Sequence, residues 1–273
     1  MLKPNFLIIG AAKAGTTSLY AYLKEHPQIY MSPLKETNFF ALEGEQLLFQ
    51  GPGDQDYINK FSITKLEDYE LLFQEAANEI AIGEASPLYL YSPKAPERIQ
   101  HYIPDVKMIA ILRNPVERAY SAFLHLVRDS REPLRDFAQA LEKEEARICD
   151  HWEHIWHYQQ AGFYYAQLQR YFAKFNPEQI RVYLFEDLNL NPLGILQDIF
   201  QFLGVSETFV PDISVRQNAS VLPTNLAKPA LTTQVRQQLI EVYQEDIWRL
   251  QKLIQRDLSN WVEPENAIAL QQK

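Results

Sequence analysis

The chain has 273 residues, with 26 Lys+Arg against 35 Asp+Glu and a formal net charge of −9. That balance excludes a general nucleic-acid binder and disfavours a long polyanionic substrate, while 47% hydrophobic residues supply the core of one large α/β domain. A single cysteine, Cys149, excludes an intrachain disulfide and a Cys-based zinc site; with no charged-then-apolar leader and no run of about 18 apolar residues, the expectation is a cytoplasmic protein without a transmembrane segment.

Phe6 to Ile9 is a short apolar run of the kind that makes a buried parallel strand. Gly10 and Gly15 bracket the loop that follows, and Thr16 or Thr17 opens a helix through Leu23. Such a strand, loop and helix start hold phosphate, because glycines let the backbone approach and the helix N-terminus favours an anion. The two glycines have the spacing of the ATP/GTP loop G-x-x-x-x-G-K-[ST]. Thr16, however, stands where that loop has its Lys, and the Lys is inside the loop at position 13. From there it would sit beside a 5′-phosphate and its outer substituent.

Pro27 stops the first helix, and Ile29 to Met31 reads as a short strand running toward Lys35-Glu36-Thr37-Asn38-Phe39-Phe40. A carboxylate at the carboxyl edge of a sheet is a candidate general base; the residues alone equally allow a surface Glu36 paired with Lys35. Ala41 to Asp68 is a polar excursion with the turn cluster Gly51-Pro52-Gly53-Asp54, and a helix is expected over 66–77. A second core strand covers 80–87, and a short helix covers 93–103.

Lys107 to Leu112 is the third core strand, ending at Arg113-Asn114-Pro115. Pro115 suits the first turn of a helix carrying Val116 to Val127. Arg113 is a natural fork for a phosphate, and Ser121 lies eight residues on, within that helix. The alternative pairs Arg113 with Glu117. Pro133 to Trp156 reads as helical, with His151, His154 and His157 on one broad face. A metal site, an acceptor-facing wall and aromatic core packing all remain open for that region. A helix over 164–175, a fourth core strand over 180–185, a helix over 192–203 capped by Gly204 and a long helix over 232–258 complete the alternation. Between the last two, 209–225 is irregular and contains Arg216-Gln217-Asn218-Ala219-Ser220, a candidate cover for the ligand. Alternating strands and helices imply a parallel sheet with helices on both faces.

Three segments together resemble the sulfotransferases that use 3′-phosphoadenosine 5′-phosphosulfate (PAPS), in particular the heparan-sulfate-type domain and its bacterial relatives. Residues 8–18 resemble that family's 5′-phosphosulfate loop, 112–121 its 3′-phosphate motif, and 35–40 the segment holding its catalytic Glu. The resemblance implies a P-loop-like three-layer α/β fold, with a central parallel sheet flanked by helices, as a single domain over 1–273. It implies that Lys13 contacts the phosphosulfate, that Ala14, Gly15, Thr16, Thr17 and Ser18 hold the 5′-phosphate, and that Arg113 and Ser121 bind the 3′-phosphate. Glu36 would be the general base; the disulfide-closed cofactor loop of the animal relatives is absent with Cys149 alone, and Arg216 and Asn218, within 216–220, would substitute for it. PAPS would be the co-substrate and adenosine 3′,5′-bisphosphate (PAP) the product, with no metal. The acceptor would be a small-molecule, glycan or lipid hydroxyl, free or on a carrier protein. Glu84-Ala85-Ser86-Pro87 departs from the family in having Ala85 where relatives often carry a substrate-contacting Lys, which weighs against a sulfated polysaccharide. Rival readings are a P-loop kinase or NTPase, and a nucleotide-binding protein without turnover.

Overall fold

The apolar runs become five parallel strands in a computed structural model, which describes residues 3–214 and 227–263. They are β1 (Phe6–Gly10), β2 (Ile29–Met31), β3 (Ala81–Ala85), β4 (Lys107–Leu112) and β5 (Ile180–Leu184). The order is β2-β3-β1-β4-β5. Phe6 lies opposite Gly83 on one side and Lys107 on the other. All residues of β1 and β3 are buried, as expected for strands covered on both faces. Gly83 is required by the close approach of Phe6, whose ring would lie 2.4 Å from an added Cβ.

Strand order reverses around β1, so the chain leaves its carboxyl end into a crevice between β3 and β4. Three loops meet there because their backbone groups complete the ends of neighbouring strands. The Ala11 N–H donates to Ile111 O (2.7 Å), Ser32 N–H to Gly83 O (2.8 Å), Glu36 N–H to Ala85 O (2.8 Å) and Ser86 N–H to Ile8 O (3.1 Å). Buried backbone donors need such partners, and here they fix where each loop can go.

Helices Thr16–Lys24 and Pro115–Arg128 follow β1 and β4 directly. The second starts sharply because Asn114 Oδ1 accepts from the N–H groups of Val116 and Glu117 and Pro115 needs no donor partner. Thr233–Ile254 is the long C-terminal helix, packed on Tyr164–Phe172.

Two helical expectations fail. The 66–77 segment is helical only over Leu66–Leu71. The 133–156 segment is two single-turn-scale helices, Phe137–Glu142 and Glu144–Cys149, followed by a turn at His151 (φ 56°) and a 3₁₀ turn over His154–Trp156. Long-range polar pairs override the local pattern. Arg147 makes a two-pronged bond to Glu132 (2.8 and 2.9 Å), and the Glu153 N–H donates to buried Asp54 across 99 residues (2.9 Å).

Candidate active site

The loop after β1 wraps one wall of a cavity of about 970 Å³. Gly15 has φ 96° and caps the 16–24 helix, a conformation only glycine adopts freely. A Cβ there would also press on the Phe185 ring at 3.1 Å. The first turn of this helix carries no acidic residue, so its positive dipole end meets no competing charge. Lys13, Gly15, Thr16, Thr17 and Ser18 all line the cavity. Ala14 does not: its side chain is buried, and its N–H donates to Ala11 O at 3.1 Å.

Arg113, at the end of β4, and Ser121, two turns into the following helix, line the same cavity. The Arg113 guanidinium stacks on Phe185 (4.7 Å) and donates to Lys13 O (3.4 Å), tying the two segments together. Its contact with Glu117 is long, 3.9 Å, because Glu117 is held by Arg236 at 2.6 Å. Among the described residues, the guanidinium thus faces the cavity without a close carboxylate partner of its own.

Glu36 reaches the cavity from the loop after β2. Its φ is 65°, and that of Lys13 is 69°. Left-handed backbone costs a non-glycine residue roughly 1–2 kcal/mol, and such strain gathers at functional sites. A buried network holds the Glu36 loop. Glu84 accepts from Tyr89 Oη (2.5 Å) and Ser86 Oγ (2.7 Å), the Asn38 N–H donates to Ser86 Oγ (3.1 Å), and Thr37 Oγ1 bonds Tyr89 Oη (3.0 Å).

The electrostatics set two opposite charges facing each other. Burial, then the neighbouring Arg128, pull the Lys13 ammonium down to about 8. The surrounding walls desolvate the Glu36 carboxylate and oppose its ionisation, but Lys35 and Lys13 more than offset this and hold it below the usual carboxylate range. Lys35 Nζ is ion-paired directly with Glu36, whose side chain is still 55% exposed. The surface pair allowed by the residues alone therefore exists, but within the cavity.

His125, Arg128 and Asp129 also line the cavity and were not singled out from the sequence. Burial, then Lys13, bring the His125 imidazole down to about 4, so it is neutral near pH 7. Their signal was available: four and seven residues beyond Ser121, positions 125 and 128 share its helix face.

The three histidines do not share a face. His151 is exposed, whereas His154 and His157 are close, with ring centroids 5.3 Å apart. No group of three or more metal-ligating side chains occurs among the described residues. Arg216 and Asn218 lie outside the described residues.

Known proteins resemble this chain in family and fold. Residues 4–209 match the Sulfotransferase family. Bifunctional heparan sulfate N-deacetylase/N-sulfotransferase 4 of Mus musculus is 30% identical over 213 residues, covering 74% of this chain and 22% of that protein. Carbohydrate sulfotransferase 15 of Mus musculus is 29% identical over 246 residues, covering 74% of this chain and 44% of that one. The chain thus spans well under two thirds of these curated relatives. The crystal structure of a sulfotransferase from Alicyclobacillus acidocaldarius is 42% identical with a TM-score of 0.87, over 96% of this chain and 100% of that one. A sulfotransferase domain from the curacin biosynthetic pathway shares the fold at 18% identity and a TM-score of 0.56, over 94% and 99% of the two chains. No helix among the described residues is long and apolar enough to cross a membrane. The family match takes in all five strands together with Lys13, Glu36, Arg113 and Ser121, and the chain belongs to the sulfotransferase family.

Proposed function

We propose that this chain, read as one domain over 1–273, transfers a sulfonate group from PAPS to a hydroxyl of a carbohydrate, lipid or other metabolite. The observation that carries the reading is Lys13 and Glu36 in one cavity. They come from different loops, both have left-handed backbone, and each is close enough to shift the other's protonation.

The donor set fits the co-substrate. An acid-free helix start with three hydroxyl residues suits a 5′-phosphosulfate, and Arg113 with Ser121 suits a separate 3′-phosphate. Bound there, PAPS supplies a sulfonate on an activated phosphate oxygen. Glu36, ionised at neutral pH, takes the proton of the acceptor hydroxyl as its oxygen bonds to sulfur; a positioned base of this kind is worth roughly 10²–10⁴-fold. Lys13 donates toward the oxygen that leaves sulfur and offsets its growing charge. Arg113 and Ser121 distinguish a nucleotide carrying a 3′-phosphate from ATP. Carbohydrate figures in one relative's name, which supports a sugar within the acceptor class.

The test follows ³⁵S from labelled PAPS to a panel of hydroxylated metabolites. Glu36→Gln and Lys13→Ala are each expected to lower transfer at least ~100-fold. Full activity in Glu36→Gln would show that the base is another group.

A further inference from the structure

The side of the cavity that continues from Glu36 is built unlike the phosphate side. Asn38 Nδ2 donates to Ser62 Oγ at 3.0 Å, which leads the lining on to Phe61 and Tyr57. These two rings are 52% and 49% exposed although they line the cavity. Leu88, Tyr91 and Ile155 line the same cavity. Exposed aromatics at a cavity mouth are unfavourable in water and favourable against an apolar ligand.

The charge on this wall is already matched. Arg131 Nη2 donates to Asp54 Oδ1 (2.5 Å) and Glu153 Oε2 (3.1 Å), its Nε donates to Pro52 O (2.6 Å), and its guanidinium lies over Tyr57 (4.9 Å). Lys35 is engaged by Glu36. Burial keeps His154 neutral by pulling it down to about 3, and its Nδ1 is buried without a hydrogen-bond partner, suited to a neutral hydroxyl. Arg131 is thus already paired with Glu153 and with fully buried Asp54, in a chain of net charge −9.

We infer that the acceptor is an uncharged alcohol whose apolar or aromatic body lies against Tyr57, Phe61 and Leu88, in preference to a sulfated or carboxylated polysaccharide. This rests on the sulfonate-transfer reading and narrows its acceptor. Recognition then comes from burial of the acceptor's body, and the hydroxyl is presented to Glu36 because the apolar wall leads there.

The probes are n-alkyl β-glucosides from pentyl to decyl and, in parallel, N-sulfated heparosan, each titrated calorimetrically into protein saturated with PAP. Affinity is expected to rise about two- to fourfold per methylene along the wall. Tyr57→Ala and Phe61→Ala should flatten that dependence and leave PAP affinity unchanged. Both side chains are half exposed, so the variants are expected to fold. Affinity independent of chain length, or tighter binding of the sulfated polymer, overturns the inference while the transfer reading stands. Failure of PAP itself to bind overturns the transfer reading and this inference with it.

Discussion

Arg113→Ala isolates the group that should separate PAPS from other adenine nucleotides. The Arg113 side chain is 23% exposed, stacked on Phe185 and turned to the cavity. Hydrogen bonds from such a charged group to phosphate contribute about 1.5–3 kcal/mol. The substitution should therefore weaken PAP binding roughly 10- to 150-fold. The loss should be selective, because adenosine 5′-phosphosulfate (APS) has no 3′-phosphate and should change less than about threefold. The fold should tolerate the change. Glu117 keeps Arg236 at 2.6 Å, so no carboxylate is left bare. The bond from Arg113 to Lys13 O is long, 3.4 Å, and weak. Arg113→Lys should fall between, since it keeps a charge but loses the planar fork. The assay is calorimetric titration of wild type and both variants with PAP and with APS. Equal losses for the two ligands would refute the 3′-phosphate role and leave only a loop-positioning effect.

The other predictions concern protonation. Lys13 is cationic below about pH 8 and neutral above it; kcat/KM for transfer should therefore fall as pH rises through about 8, and Lys13→Arg should remove that limb from the measurable range. An alkaline limb unchanged in Lys13→Arg would assign it elsewhere. Glu84 is raised to about 7 by burial, so its neutral form belongs to the folded state. Its stabilisation is complete below about pH 4.5 and is lost as pH rises through about 7, roughly 3 kcal/mol at 1.36 kcal/mol per unit. The Tm of the wild type should decline across that window, and that of Glu84→Gln should decline less. Parallel curves would show that Glu84 does not titrate there.

The sheet was legible because buried parallel strands are largely apolar runs: β1 and β4 carry the clearest, while β3 holds Glu84 and the partly buried β5 holds Arg181. The phosphate loop was legible because its chemistry needs Gly15 and Lys13 at fixed places in a contiguous stretch. Glu36 was only half legible. Its pairing with Lys35 could be read locally, but its place in the cavity is set by the bond of its N–H to Ala85 O, 49 residues away in the chain. The 133–156 region misled for a related reason. Its periodicity is helical, yet Asp54, Glu132 and Arg131 bend it through contacts that no local window contains. His125 and Arg128 repeat the helix face of Ser121, yet basic residues in the last turn of a helix equally serve its C-terminal dipole, so their place in the cavity was not legible.

The central claim is that the cavity is built for a nucleotide with both a 5′-phosphosulfate and a 3′-phosphate. A calorimetric titration of the wild-type protein with PAP, beside one with ATP–Mg²⁺, tests it most directly. Tight PAP binding with weak ATP–Mg²⁺ binding is the predicted result. Preference for ATP–Mg²⁺ would contradict the account and return the loop around Lys13 to a kinase or NTPase reading.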